Sequence, residues 1–378
     1  MRNSICVMLA TMCLALAVRT ARGAERLDWD PARTWVFAVG ILRWEHEDIW
    51  SPFPECQKDR RDGQLVEYFR DAGVPDEQIV YLADGQATKR RIDEQFHRIL
   101  GQAQDGDLLV FYFCGHGYRD SESGQTWFAN YDAGERNSSA WNVRSIVAAI
   151  ENHFGGDRAL LMADCCHSGA LYDEVLRLHD SQIAYAAITS SYAHNLSTGN
   201  WTFSDFLLAG LSGDPRADLD GDGSVDLAEL ARYCELELAF DEGQKSMFVA
   251  NREFPRNARL ADTSGELVPG VGQRLEVIYD GSWYKAETID ADDDQWLIHY
   301  VNFDDSWDEW VDADRMRPYQ PAQFAEGDQV EVHWDTDGQW YPARVLKGWY
   351  GLHLVRYDGF DESSDEWVGP RAIRLRSQ

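Results

Sequence analysis

The sequence predicts a mainly parallel α/β domain followed by two small all-β modules. Two observations carry this reading. From Thr34 to about Ala239, short and almost wholly apolar runs alternate with amphipathic stretches, as in strands covered on both faces by helices. Beyond Leu260 the helical patterns stop, and short aromatic strands recur at a fixed spacing. Composition agrees. With 44% hydrophobic and 12% aromatic residues in 378, the chain can bury proper cores, which excludes a wholly disordered protein.

Taken in order, the chain begins with Met1-Arg2, an apolar run from Ile5 to Val18, and the small residues of Ala21-Arg22-Gly23-Ala24. This is the layout of a secretory signal peptide, so residues 1–24 are expected to be removed and the remainder to be secreted or periplasmic. The run is shorter than the roughly 20 residues a spanning helix needs, and no later stretch is long and apolar enough, so no membrane span is expected. Cys6 and Cys13 would leave with the leader. Cys56, Cys114, Cys165, Cys166 and Cys234 remain. An odd number with two adjacent is no disulfide framework, despite the export, and at least one free thiol is expected.

The α/β domain is read over residues 30–262. Its strands are Trp35 to Leu42, Ile79 to Leu82, Asp107 to Cys114, Arg158 to Ala163 and Ile183 to Thr189. Between them, Arg60 to Ala72, Thr88 to Leu100, Val143 to His153 and Phe203 to Leu211 have helical periodicity. In such sheets, chemistry collects just past the carboxyl ends of the strands. The third strand runs into Cys114-Gly115-His116-Gly117, and the fourth into Asp164-Cys165-Cys166-His167-Ser168-Gly169. A histidine and a cysteine on neighbouring, glycine-flanked strand ends can meet for nucleophilic catalysis, because the thiolate is the nucleophile and an imidazole can take its proton.

These strings resemble the caspase-like peptidases of clan CD, and more closely their metacaspase branch. The likeness extends from Thr34 to Ala239 and includes Cys56-Gln57-Lys58-Asp59 ahead of a helix, Tyr131-Asp132, Thr189-Ser190-Ser191 and Thr202-Phe203. It implies a caspase-like fold and a cysteine endopeptidase with Cys166 as nucleophile and His116 as general base and acid. The backbone N–H groups of Gly117 and Cys166 would bind the oxyanion, where losing one donor costs about 2.7–4 kcal/mol. Cys165 is the rival nucleophile, but adjacent strand residues point to opposite faces and the family's reactive thiol directly precedes His-Ser-Gly. His167, an immediate neighbour, is read as structural. Asp59 and Asp164 match the positions that line the S1 pocket, so protein or peptide substrates with Arg or Lys at the cleavage site are expected. A catalytically silent scaffold whose tail does the binding is the alternative, and a protease that mainly cuts its own chain is a third reading.

Residues 218–229 fit an EF-hand loop. Asp218, Asp220, Asp222, Ser224, Asp226 and Glu229 occupy the ligand positions, and Gly223 permits the sharp turn, so Ca²⁺ is the expected cofactor. A rigid Asp-rich turn capping the next helix is the plainer alternative. Asp173 matches one ligand of a second acidic calcium site in the family.

The tail repeats itself. Trp283-Tyr284 recurs as Trp340-Tyr341, Tyr300 as Tyr357, Phe303-Asp304 as Phe360-Asp361, and Asp308-Glu309-Trp310-Val311 as Asp365-Glu366-Trp367-Val368. The earlier Leu275-Glu276-Val277 matches Val330-Glu331-Val332 with two residues less separation, which places a two-residue insertion near the second copy's first turn. Residues 266–319 and 322–378 thus resemble Tudor-like or agenet modules, small bent barrels. Tyr279, Trp283, Tyr300, Phe303 and Trp307, with Trp334, Trp340, Tyr357 and Phe360, could cage a cationic ligand by cation–π attraction. Trp283, Trp310, Trp340 and Trp367 are expected in the barrel cores, since so small a domain needs large side chains to fold. From Glu266 onward, 24 acidic and 10 basic residues give −14 of the chain's −30, so nucleic acid is excluded as a partner on charge.

Overall fold

The computed structural model describes residues 29–135, 140–251, 254–265, 267–292, 294–334 and 337–376. The expected signal peptide lies outside them. In chain order the first domain comprises β1 (Thr34–Gly40), α1 (Arg61–Asp71), β2 (Ile79–Ala83), α2 (Lys89–Gln102), β3 (Leu108–Cys114), β4 (Gly117–Arg119), β5 (Thr126–Phe128), β6 (Trp141–Asn142), α3 (Val143–His153), β7 (Arg158–Asp164), α4 (Ala170–Leu176), β8 (Ala184–Thr189), α5 (Thr202–Leu211), β9 (Ser224–Asp226), α6 (Leu227–Asp241), β10 (Met247–Ala250) and β11 (Arg259–Asp262). All five expected strands and all four expected helices are present.

Six strands form the main sheet in the order β10-β8-β7-β3-β1-β2. Five are parallel, and β10 joins antiparallel at the edge. Alternation along β3 shows why its run is wholly apolar. Leu109, Phe111 and Phe113 enter the core beneath α2, α3 and α4, whereas Leu108, Val110, Tyr112 and Cys114 enter the one beneath α1, α5 and α6. The register pairs Cys114 with Asp164, so the two strand ends that carry His116 and Cys166 emerge side by side.

Two five-stranded antiparallel sheets follow. The first contains β12 (Arg274–Tyr279), β13 (Ser282–Asp292), β14 (Gln295–Tyr300), β15 (Glu309–Asp312) and β16 (Met316–Pro318). The second contains β17 (Gln329–Trp334), β18 (Gln339–Trp349), β19 (Leu352–Tyr357), β20 (Glu366–Val368) and β21 (Ile373–Leu375) in the corresponding order. In both, the long second strand carries a register shift at the equivalent place, Thr288/Asp290 and Val345/Lys347, and bends there to pair on both sides. The insertion falls where the repeat places it. Asp280-Gly281, both at positive φ, closes the first hairpin in two residues, whereas four residues of sequence separate β17 from β18.

One expectation about the tail is corrected. The first module's core is Leu275, Val277, Ala286, Ile298, Tyr300 and Val311, and the second's is mainly valine. Trp283 and Trp310 are 38% and 42% exposed. Each neighbours a core residue on its strand, so alternation turns it outward. Trp283 is instead covered by Arg317 at 4.0 Å and Trp340 by Arg374 at 3.9 Å. Trp367 is buried, but with Leu352 and Ala239 of α6 rather than in the valine core of its barrel.

Candidate active site

His116 and Cys166 line one cavity of about 160 Å³ at the carboxyl edge of the sheet. Its other walls are the segment around Phe53 and Cys56, the strand ends at Cys114 and Asp164, and the loop from Ser197 to Trp201. Trp201 donates its indole N–H to the Cys56 carbonyl at 3.0 Å, which ties the two loop walls together.

The structure separates the adjacent cysteines. Cys165 continues the alternation of β7 into the core with Ala163 and is 3% exposed, whereas Cys166 has left the strand and is half-buried. The Cys166 thiol faces Ser197, whose carbonyl lies 3.8 Å from Sγ and whose N–H donates to it at 3.3 Å. Burial pushes this thiol above its ordinary value, Asp164 adds to the rise, and the backbone hydrogen bonds oppose it. His167 takes a positive φ of 59° and turns its ring to the Ala193 carbonyl, 3.0 Å from Nδ1, so it is held structurally.

His116 sits in an aromatic box, its ring 4.5 Å from Trp44 and 4.7 Å from Phe53 by centroids. Its Nε2 lies 2.8 Å from the Ser51 carbonyl. A carbonyl only accepts, so Nε2 carries the proton and the lone pair of the neutral ring is on Nδ1. Burial lowers its pKa, against the effect of the Ser51 contact. Gly117 is required by close approach, because a Cβ there would collide with the Cys166 carbonyl oxygen. No sequence signal marked Trp44, Trp50 or the Ser197–Trp201 loop.

The two S1 candidates are not brought together in the cavity. Asp164 lines it, buried, with Oδ2 accepting from Ser204 at 2.7 Å, and burial raises its carboxyl to about 6. Asp59 does not line it. Its carboxylate is held by Arg61 at 2.6 Å and Gln64 at 2.5 Å, and the same arginine also binds Asp205. Among the described residues, Asp164 is the one carboxylate on the cavity wall.

In the calcium-like loop, the carboxylates of Asp218, Asp220 and Asp222 lie within 4.8 Å of one another. Glu229 turns inward, accepting from the N–H groups of Leu219 and Asp220, and forms a capping box with Asp226 at the start of α6. Ser224 donates to Asp222. The plainer sequence reading, a turn that caps α6, is what the structure displays, and beside it three of the expected ligand carboxylates, Asp218, Asp220 and Asp222, come together. Asp173 lies elsewhere, in a polar cleft shared with Arg119, Arg144 and Arg177. Three guanidinium groups do not suit a cation site.

In the first tail module, Tyr279, Tyr284, Tyr300, Phe303 and Trp307 line an apolar cavity of about 110 Å³. Neighbouring rings meet edge to face, Tyr284–Phe303 at 5.9 Å and Phe303–Trp307 at 5.5 Å. Trp283, expected in the cage, is replaced there by its neighbour Tyr284, a residue the repeated Trp-Tyr pair could have suggested. The second module keeps Trp334, Tyr341, Tyr357 and Phe360, but Ser364 stands at the position of Trp307.

Comparison with known proteins finds three family models along the chain. Residues 71–175 match the model of the metacaspase peptidase C14 domain, residues 270–318 that of the Tudor-knot, described as the RNA binding activity-knot of a chromodomain, and residues 327–378 that of the agenet domain. PHD finger protein 20-like protein 1 of Gallus gallus is 32% identical over 94 residues, 20% of this chain and 12% of that protein. Its Mus musculus counterpart is also 32% identical over 94 residues, 9% of its length. The chain thus spans about a tenth of the curated relatives it matches. Protein GSU0716 of Geobacter sulfurreducens, a crystal structure, aligns with a TM-score of 0.43 at 14% identity, covering 62% of this chain and 99% of that one. Residues 71–175, which hold His116, Asp164 and Cys166, are thus part of a metacaspase-type peptidase C14 domain, and a Tudor-knot module and an agenet module follow it in the same chain.

Proposed function

We propose that the protein is an exported cysteine endopeptidase that cleaves after Arg or Lys. The observation that carries this is the convergence of His116, Cys166 and the buried carboxyl of Asp164 on one cavity. Nδ1 of His116 takes the thiol proton as Sγ attacks the substrate carbonyl, and the developing oxyanion faces the N–H groups of Gly117 and Cys166. The imidazolium then protonates the leaving amine, and water hydrolyses the thioester. Asp164 receives the cationic side chain at the cleavage site through a charge-assisted hydrogen bond. Ca²⁺ bound by Asp218, Asp220 and Asp222, with Ser224, Asp226 and Glu229 completing the loop's ligand set, stiffens the entry to α6. Residues 1–24 direct export.

The five-ring cage of the first module takes a cationic side chain, such as a methylated lysine, by cation–π attraction. Its surplus of carboxylates argues against the RNA binding in the matched domain's name. That cage also supports the rival reading of a silent scaffold. One assay separates them: the mature chain is incubated with fluorogenic peptides ending in Arg or Lys, with and without Ca²⁺, beside Cys166→Ala. Cleavage is expected in the first and absent in the second. If neither chain cleaves in either condition, the peptidase reading fails.

A further inference from the structure

The second tail module grips both arms of the active site. The Asn195 side chain forms two hydrogen bonds with the backbone of Trp367 in β20, donating to its carbonyl at 2.7 Å and accepting from its N–H at 2.9 Å. The Asn195 carbonyl, in turn, accepts from the N–H of His167, the residue after the nucleophile, at 2.9 Å. Two residues on, Ser197 donates to Cys166 Sγ. His194 donates to the Asp365 carbonyl at 2.9 Å. On the other arm, Arg119, in the short strand that begins just after His116, donates to the Ser363 carbonyl at 2.7 Å.

The seam is built rather than incidental. Asp365 is buried and held by both guanidinium arms of Arg356 at 2.7 and 2.6 Å, which fixes the segment that reaches across. Lys245 lies over the rings of Trp349 and Trp367 at 4.6 and 5.7 Å, and its neighbour Gln244 accepts from Thr198 on the cavity wall at 2.9 Å. Gly369 and Gly243 pack so closely that a Cβ on Gly369 would come within 2.9 Å of the Gly243 carbonyl.

We propose that the second tail module is a working part of the peptidase site, with Asn195 the positioning residue through which β20 sets the Cys166 segment and its facing loop. This rests on the peptidase reading for its catalytic meaning, but not for its test. In full-length chains, the rate of Cys166 alkylation by iodoacetamide is followed against pH by peptide mass, beside kcat and KM. Asn195→Ala removes the grip from the domain side, and Gly369→Val wedges the seam from the tail side, away from every catalytic group. Each is expected to displace the alkylation profile of Cys166, and to lower kcat by about tenfold to a hundredfold through misplacement, with a smaller change in KM. Should Asn195→Ala fail to fold, Gly369→Val carries the test. Alkylation profiles matching that of the unaltered chain in the folded variants overturn the proposal. A wild-type chain that alkylates normally but cleaves no basic peptide sinks the peptidase reading, and the displaced profile then still supports the positioning role.

Discussion

Burial sets the protonation states on which the candidate dyad starts. The Cys166 thiol is raised and the His116 imidazole lowered, so both are neutral near pH 7 and the proton must move when substrate binds, rather than resting on a preformed ion pair. Alkylation of Cys166 in the free protein is therefore expected to keep rising with pH past 9.0, the ordinary thiol value. A midpoint below neutrality, measured by iodoacetamide kinetics, would contradict this account. Asp164 gives a second test with a definite sign. Its carboxyl, at about 6 in the fold against 3.8 ordinarily, is neutral below that value and anionic above it. Cleavage after Arg should thus improve as pH rises through about 6, and Asp164→Asn should remove that limb and weaken kcat/KM by roughly 2–5 kcal/mol. Because the raised pKa means that ionised Asp164 destabilises the fold, the stability it leaves intact in acid is lost as pH rises from 3.8 towards 6. Asp164→Asn should accordingly melt higher than the unaltered chain at pH 7 and about equally at pH 3, as calorimetry can check.

The elements most legible in the sequence were those whose burial is two-sided. β1, β3, β7 and β8 read as apolar runs because helices cover both faces, and α3 was bounded at both ends, where Asn142 caps Ser145. The short sheet β4-β5-β6 and the edge strand β10 went unread, since a few residues carry too little periodicity to register. That His116 and Cys166 share a cavity was readable because both follow strand ends, but the Ser197–Trp201 wall was not: its place comes from contacts with Cys56, Cys166 and Gln244 that are distant in sequence. The calcium-like loop illustrates the same division. Its ligand spacing was plain, yet the partner that steadies a solitary loop appeared only in three dimensions, where β9 pairs antiparallel with β11 through Val225 and Ala261. With that support, Ca²⁺ is expected to raise the melting temperature of the full chain and chelator to reverse it. Asp220→Ala should abolish the response, because Asp220 caps no helix, whereas loss of Glu229 would also break the capping box. An unaltered melting temperature at millimolar Ca²⁺ would leave the loop as a cap alone.

At the scale of the molecule, charge and docking act together. The tail modules do not hang from a tether: Arg216 pairs with Glu287 at 2.6 Å, Arg274 with the buried Glu237, and Lys285 lies over Phe240 at 5.3 Å, so the acidic barrels are fixed against the peptidase domain. Their −14 therefore adds to the field around a cavity that itself holds the carboxyl of Asp164. Fixed charge of one sign near a site raises the local concentration of oppositely charged ligands and speeds their encounter, and salt removes the effect as the screening length falls from about 30 Å at 0.01 M to about 8 Å at 0.15 M. For peptides carrying basic residues beyond the cleavage site, kcat/KM should fall by roughly tenfold over that range of NaCl. For peptides with a single Arg and otherwise neutral, the fall should be much smaller, because the contact proposed with the buried Asp164 would be poorly screened. Equal salt dependence for the two peptide classes would mean that the −30 of the whole chain does not reach the active site, and that its acidity serves the tail and the calcium-like loop separately.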